Sequence, residues 1–165
     1  MSDRARLGEL IDAAVRDPDK ARAIIAADRS LLGARYIHGE TALHFLAVEG
    51  FTEAVALLAD LGASVDEPNR SGDTALVDVA TLGNVDVARV LLRRGANPNA
   101  KSVTRDNVLH CAVQSGIGEL VQLLIEAGAQ TDYVTDIGQT IRDAVPWGAR
   151  REEIEKLLSE LGLLA

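Results

Sequence analysis

Four side chains in this sequence have the chemistry for catalysis or metal binding: His38, His44, His110 and Cys111. Imidazole and thiolate groups act as bases, nucleophiles and metal ligands, but only when several of them meet at hydrogen-bonding or ligand distance. His110 and Cys111 are neighbours in a segment with helical spacing, so their side chains point about 100° apart and cannot pair. The sequence also contains no phosphate loop of the G-x-x-x-x-G-K type. These residues therefore predict no enzyme, no cofactor and no metal site.

The composition indicates a helical chain without a membrane or secretion signal. Hydrophobic residues make up 47% of the 165 residues and aromatic residues only 3%. No apolar run approaches the roughly 20 residues of a membrane span. The first residues, MSDRARLGEL, lack the apolar stretch of a secretory signal. One cysteine cannot form an internal disulfide, which suits a reducing compartment. We therefore expect a cytoplasmic protein that binds no membrane.

The charge distribution indicates the kind of partner. The net charge is −8, whereas affinity for nucleic acid comes mainly from clustered Lys and Arg. Residues 1–35 carry seven basic and six acidic side chains, so the acid excess lies in the remainder of the chain. A partner selected by charge is therefore expected to be basic, and nucleic acid is not expected.

A 33-residue repeat runs through the chain. Three segments align without drift: ETALHFLAVEG at 40–50, DTALVDVATLG at 73–83 and DNVLHCAVQSG at 106–116. The pattern predicts a first helix that begins at a Thr or Asn cap and ends at a glycine, followed by a second helix that ends at Gly-Ala. Leu43, Leu76 and Leu109 are predicted to be buried between units. The period also separates His44 from His110 by two units, about 20 Å, which is too far to share a metal ion.

The sequence resembles the ankyrin-repeat family, in which each unit is a β-turn followed by two antiparallel helices. The resemblance rests on the 33-residue period, the recurring glycines, and the Thr-x-Leu-His and Gly-Ala motifs. The resemblance implies an all-α ankyrin-repeat solenoid of helix-turn-helix units with short β-turn or hairpin fingers. It implies one domain over 1–165, with a capping repeat at each end. The expected units are 1–35 as the N-terminal cap, 36–68, 69–101 and 102–134 as repeats, and 135–165 as the C-terminal cap.

The resemblance also assigns roles to the reactive side chains. His44 and His110 occupy the family's structural histidine position, where the ring bonds to the backbone and the Thr of adjoining turns. Cys111 occupies a buried apolar position. In the caps, the matching core positions are Leu10, Ala14, Ile24 and Ile25 at one end, and Gly138, Thr140, Ile154, Leu157 and Leu158 at the other.

Two units depart from the family pattern. Arg105 and Asn107 replace the turn glycine and the threonine of one repeat. Asn107 can still cap the helix, and Arg105 is either a tolerated substitution or a contact for a partner carboxylate. In the last unit Pro146 predicts a short or bent first helix. Trp147 follows it and is either a lid over the terminal repeat or a binding residue.

In the family, the finger tips and the exposed face of the first helix line a concave groove. Apolar residues recur there at Ile37, Val48, Leu82, Val103 and Ile137, beside the carboxylates Glu40, Glu49, Asp73, Asp106 and Asp136. We interpret this strip as an interface, although scattered exposed aliphatic residues are also ordinary. The candidate protein-binding residues are Tyr36, Ile37, His38, Glu40, Val48, Glu49, Arg70, Asp73, Leu82, Val103, Arg105, Asp106, Gln114, Asp136, Ile137 and Trp147.

Three functions follow as hypotheses. The first is a monomeric, non-catalytic protein-protein interaction module that scaffolds or regulates a partner. The second is a stand-alone inhibitor, such as an immunity or antitoxin-like protein, that blocks a basic enzyme. A hydrolase or metal enzyme is the remote third, because the histidine spacing opposes it.

Overall fold

Pairs of short helices joined by turns make up this protein. The computed structural model describes residues 3–103 and 106–164. Its α-helices are α1 (Asp3–Arg16), α2 (Pro18–Ala27), α3 (Ala42–Val48), α4 (Thr52–Asp60), α5 (Ala75–Leu82), α6 (Val85–Arg93), α7 (Val108–Ser115), α8 (Gly118–Glu126) and α9 (Arg151–Glu160). A short 3-10 helix follows α2 at Arg29–Leu32. Within the described residues, no helix has the length and apolar character to cross a membrane.

Polar caps and glycines set the bounds of the first helix of each unit. Thr41 and Asn107 each accept a hydrogen bond from the backbone N–H three residues on, at 3.2 and 2.9 Å. Asn107 therefore does cap its helix, as predicted. Thr74, at the equivalent place, starts α5 without such a bond. Gly83 and Gly116 end α5 and α7 with φ of 73° and 71°, in the left-handed region that favours glycine.

The helices stack in two rows, and this stacking forms the core. Helices α3, α5 and α7 pack against one another, and α4, α6 and α8 form the second row. Leu43, Leu76 and Leu109 are buried between neighbouring units, as the repeat register predicts. The buried apolar residues make one continuous cluster from α1 to α9. Each unit thus covers an apolar face that it could not bury alone.

The N-terminal helix pair joins the stack through α1, with one difference from expectation. Helix α1 packs against α2, α3 and α4. Leu10, Ala14 and Ile25 are buried as predicted, but Ile24 is only partly buried against the core. Ile24 precedes Ile25 on α2, and a helix turns neighbouring side chains about 100° apart. The two isoleucines therefore cannot both point directly into the core.

In the last unit the first helix is replaced by turns. Backbone bonds run from Asp143 N to Thr140 O and from Val145 N to Arg142 O, and no helix is assigned between α8 and α9 in the described residues. The structure thus has turns where Pro146 predicts a short or bent first helix. Ile154 and Leu158 of α9 are buried as predicted, whereas Leu157 is only half-buried.

The interpretation of Trp147 as a lid is wrong. Its side chain is 90% exposed, and the Arg151 guanidinium lies 4.9 Å from the ring centroid. Arg150 covers the end of α7 instead, since its Nη1 donates to Ser115 O at 3.0 Å. A Cβ placed on Gly116 would lie 2.8 Å from Arg150 Cδ. The turn after Pro146 thus directs the indole outward and brings the arginine over the terminal repeat.

The fingers are tight turns that contact each other through the backbone. Tyr36 N donates to Glu40 O at 2.8 Å, and Asn69 N donates to Asp73 O at 2.9 Å. Arg70 N donates to His38 O at 3.0 Å, which joins these two fingers directly. In the described part of the third finger, Lys101 and Asn107 form an antiparallel bridge at its base, and Val103 packs on Gly72. Arg105 lies outside the described residues, so both interpretations of it stay predictions.

Carboxylates of one unit also hold the next unit. The Arg94 guanidinium binds both carboxylate oxygens of Asp60 at 3.0 Å, and Asp66 accepts from Asn97 N at 3.0 Å. Glu67 binds Arg35 at 2.5 Å. Asp66 and Glu67 therefore each connect two units.

Candidate protein-binding surface

One side of the stack leaves five large apolar side chains open to solvent. This side consists of the fingers and the exposed residues of α3, α5 and α7, and we call it the groove surface. The five are the residues that the sequence singles out, and their exposed fractions run from 37% at Val48 to 84% at Val103. The other members of the set are Ile37, Leu82 and Ile137. A folded chain gains nothing from exposing them, so the groove surface has the character of a contact surface.

The carboxylates of the groove surface divide into two groups. Glu49 and Asp136 are exposed and Asp106 is half-buried. Glu40 and Asp73, predicted to lie on the rim, are instead buried. Both close a finger turn through their carbonyl oxygen, which places them at the base of the finger rather than at its tip. The acidic rim is therefore smaller than the sequence predicts.

The remaining candidate residues lie in different environments. His38, Arg70 and Gln114 are exposed. Tyr36 is half-buried rather than exposed, because its ring packs edge-on against Phe45 with centroids 5.9 Å apart. Tyr36 therefore contributes to packing as well as to the surface. Trp147 lies in the last unit and follows its finger in the sequence.

His44 has a partner that the sequence analysis missed. Its Nε2–H donates to Asp78 Oδ2 at 2.8 Å, so the ring binds a carboxylate of the next unit rather than a turn threonine. Asn69 Nδ2 donates to the same oxygen at 3.3 Å. Asp78 stands where the neighbouring units have Phe45 and Cys111. The other two repeats have an apolar residue at this position. The carboxylate of Asp78 was therefore the feature of the sequence that could have predicted a polar partner.

His110 is a structural histidine with other partners. Its Nδ1 lies 2.9 Å from Asn107 Oδ1, and its ring packs edge-on against Tyr133 with centroids 5.3 Å apart. Burial lowers the pKa of His110, and the nearby Asp106 carboxylate partly opposes that shift. Cys111 is buried beside it in the apolar core, as predicted. Helix α7 therefore uses both residues for packing.

Two cavities lie side by side at the N-terminal end of the groove surface. One, of about 280 Å³, is mainly apolar and is lined by Gly8, Ile11, Asp12, Val15, Arg16, Tyr36, Phe45 and Phe51. The other, of about 270 Å³, exposes mostly apolar surface, but six of its eight lining residues are polar or charged, and we call it the polar cavity; it is lined by His38, Glu40, His44, Phe45, Val48, Glu49, Asn69 and Asp78. Phe45 lines both, so the cavities adjoin. Sequence reasoning missed the apolar one, because its residues come from the capping helix α1 and from a repeat.

This stack of paired helices with turn fingers defines a helical repeat protein, and sequence comparison identifies the family. The family model for three copies of the ankyrin repeat matches residues 10–102, and the model for a single ankyrin repeat matches residues 105–136. The chain belongs to the ankyrin-repeat family. Ankyrin repeats are generally non-catalytic interaction modules, and this chain is a protein-binding module of that kind.

Curated relatives match the chain through their repeats. It is 38% identical over 102 residues to the human ankyrin repeat and KH domain-containing protein 1, covering 61% of this chain and 4% of that protein. It is 35% identical over 101 residues to the mouse B-cell lymphoma 3 protein homolog, covering 61% and 22%. It is 38% identical over 87 residues to cyclin-dependent kinase inhibitor 2A of Monodelphis domestica, covering 52% and 50%. The chain thus spans half or less of each of these relatives.

Proposed function

We propose that the groove surface binds a protein partner whose contact surface is basic. The observation that carries this proposal is the exposure of all five large apolar side chains at positions that the repeat leaves free of packing. Apolar anchors supply most of the affinity of such an interface, and a polar rim surrounds them. Glu49 and Asp136 are the exposed carboxylates of the groove surface.

The charge of the chain supports a basic partner in place of nucleic acid. The net charge is −8, and the acid excess lies after residue 35, in the part that carries the fingers. Complementary charge mainly raises the association rate and selects the partner. We further propose that the chain is monomeric when alone, acts in the cytoplasm and catalyses no reaction itself.

A second candidate function is inhibition of a basic enzyme by the same surface. One relative, of which this chain covers half the length, carries the name cyclin-dependent kinase inhibitor 2A. Inhibition differs from scaffolding in a measurable way, since an inhibitor abolishes the activity of its partner at one-to-one stoichiometry. Titration of an enzymatic partner with the purified chain separates the two functions.

Surface plasmon resonance with a captured partner tests the groove surface directly. Leu82→Ala and Ile137→Ala remove exposed apolar contacts and should speed dissociation, about tenfold for each 1.4 kcal/mol lost. Glu49→Lys and Asp136→Lys should slow association, and this difference should shrink as salt rises, because the Debye length falls to about 3 Å at 1 M. The apolar variants should therefore change mainly the dissociation rate, and the charge variants mainly the association rate.

Matched controls come from the opposite side of the stack. Glu53 in α4 and Arg93 in α6 are exposed residues of the second-helix row. Glu53→Lys and Arg93→Glu should leave both rates nearly unchanged. If this control pair weakens binding more than the groove variants do, the partner binds elsewhere and the proposal is wrong.

A further inference from the structure

We infer that the two adjoining cavities recognise a partner segment in which an arginine lies close to a large apolar side chain. This inference rests on the proposed function and adds the chemistry of the contacted segment. The arginine enters the polar cavity between α3 and α5, and the apolar side chain enters the neighbouring cavity beside α1. The negative charge of the polar cavity selects the arginine, and the apolar lining of the other cavity selects the apolar side chain.

The polar cavity has an excess of negative charge. Three carboxylates line it, those of Glu40, Glu49 and Asp78, and no lysine or arginine is among its lining residues in the described chain. The Asp78 carboxylate accepts from His44 and Asn69, which fixes it in place. The other two carboxylates receive no such pair of donors in the described structure. A cation that enters the cavity therefore meets one carboxylate that is held in place and two that no such pair of donors occupies.

Glu40 is the side chain that most requires a donor from outside. It is only 9% exposed, and its Oε2 has no hydrogen-bond partner among the described residues. Burial of a carboxylate oxygen without a donor is costly, because the oxygen loses its water without replacement. A guanidinium group in the cavity supplies both the N–H donors and the opposite charge once the Glu40 carboxylate turns toward it. Binding of an arginine thus removes a cost that the free protein carries.

The chemistry of the cavity favours an arginine over a metal ion. Among the described residues, no three His, Cys, Asp or Glu side chains come together closely enough to hold a metal. The three carboxylates belong to different parts of the lining, since Glu40 precedes α3, Glu49 follows it and Asp78 lies in α5. A guanidinium has several donors in a planar fork with which to meet them. Phe45 and Val48 in the same wall offer apolar contact to the arginine stem.

The apolar cavity supplies the second half of the recognition. Ile11, Val15, Phe45 and Phe51 line it, and Val15 and Phe51 remain exposed to solvent. A Cβ added to Gly8 meets no atom within 4 Å, so the cavity is open above this glycine. Because Phe45 lines both cavities, one short segment can reach from one to the other.

Short peptides test this inference without knowledge of the natural partner. The probes are acetylated, amidated peptides with Phe and Arg separated by zero, one or two glycines, and the same peptides with citrulline, which is isosteric with arginine but uncharged. Titration into the 15N-labelled full chain, followed by NMR, should shift amides of α1, α3 and α5. For at least one spacing, citrulline should weaken binding about tenfold, the loss expected for a charge-assisted bond of about 1.4 kcal/mol. Equal affinities at every spacing, or shifts confined to other helices, would overturn the inference.

Two variants assign the halves of the peptide to the two cavities. Glu40→Gln should remove the preference for arginine over citrulline, while Glu53→Gln, a change of an exposed carboxylate on α4, should keep it. Gly8→Leu fills the open apolar cavity and should weaken both peptides. Ala26→Leu, an exposed position on α2, should weaken neither. Leucine also forms helix better than glycine, so Gly8→Leu should not unfold α1. An unchanged arginine preference in Glu40→Gln would contradict the inference.

The natural partner then separates this inference from the proposed function. If Leu82→Ala and Ile137→Ala weaken the partner but Glu40→Gln and Gly8→Leu do not, the groove surface binds and the paired cavities are not the recognition site. If none of the four weakens it, the proposed function itself is wrong. Weakening by all four supports both.

Discussion

At the scale of single residues, two histidines in equivalent sequence positions have different tasks. His44 donates to Asp78 of the next unit and so joins two repeats through a polar contact. His110 bonds to the cap of its own helix and packs against Tyr133. The family resemblance assigns both the same role. The difference arises from their neighbours, because the Asp78 carboxylate accepts from the His44 ring, whereas Asn107 Oδ1 and the Tyr133 ring contact the His110 ring.

The lowered pKa of His110 predicts a dependence of stability on pH. Burial lowers the pKa of the ring in the fold, although Asp106, a hydrogen bond with the Thr140 backbone and Asp143 oppose the shift. The unfolded chain binds a proton near the ordinary value of 6.5. Between that pH and the lower folded pKa the unfolded state holds more protons, so stability falls as pH falls, by at most about 1.4 kcal/mol per unit. Above pH 6.5 the contribution is fully present.

Urea melts of wild type and His110→Gln between pH 7.5 and 5 check this expectation. The wild type should lose more stability over that range than the variant, because glutamine takes up no proton. Asp28, Asp60 and Asp143 have pKa values lowered mainly by hydrogen bonds, and they affect both proteins alike at more acid pH. Parallel curves for the two proteins would show that His110 does not titrate on unfolding.

At the scale of elements, helix α5 shows how one segment serves both the core and the surface. Leu76 is 0% exposed and Leu82 is 60% exposed, although both lie on this helix. Six residues of α-helix turn a side chain through about 240° relative to the first, so the two point to different sides. The helix that builds the stack therefore also presents a contact residue.

These two leucines form a matched pair for a stability prediction. Leu76→Ala should lower the free energy of unfolding by about 2 to 5 kcal/mol, because it opens a cavity between units. Leu82→Ala removes the same atoms from solvent-exposed surface and should change stability by no more than about half a kcal/mol. Denaturant melts measure both. Similar losses at the two positions would mean that the assigned burial of α5 is wrong.

The elements also show what the sequence could predict. Period, caps and glycines predict the helix pairs, because each of these signals acts within a few residues of its own helix. Glu40 and Trp147 were misplaced for the opposite reason. Both lie in turns, and the direction of a turn side chain depends on the backbone path and on the next unit. Asp78 was missed as a partner because its contact with His44 joins residues 34 apart.

At the scale of the whole molecule, each unit is stabilised by its neighbours. Helix α5 has a neighbour on each side, since it packs against α3 and α7. Helix α9 packs mainly against α8, and the first helix of its unit is reduced to turns. In repeat proteins, stability is close to a sum of unit and interface contributions, so the units need not open together. The C-terminal unit should therefore open most easily.

Native-state hydrogen exchange followed by mass spectrometry tests this gradient. Amides of α9 should exchange faster than those of α5 and α7. Leu158 is buried in α9, and Leu158→Ala should speed exchange in that helix by more than about tenfold, since each 1.4 kcal/mol lost is a factor of ten. It should leave α5 nearly unchanged, because the lost contact belongs to the terminal interface. Leu76→Ala should instead speed exchange in α3, α5 and α7 together, as its side chain lies between units in the middle of the stack. If Leu158→Ala accelerates every helix equally, the chain opens as one cooperative unit and the gradient does not exist.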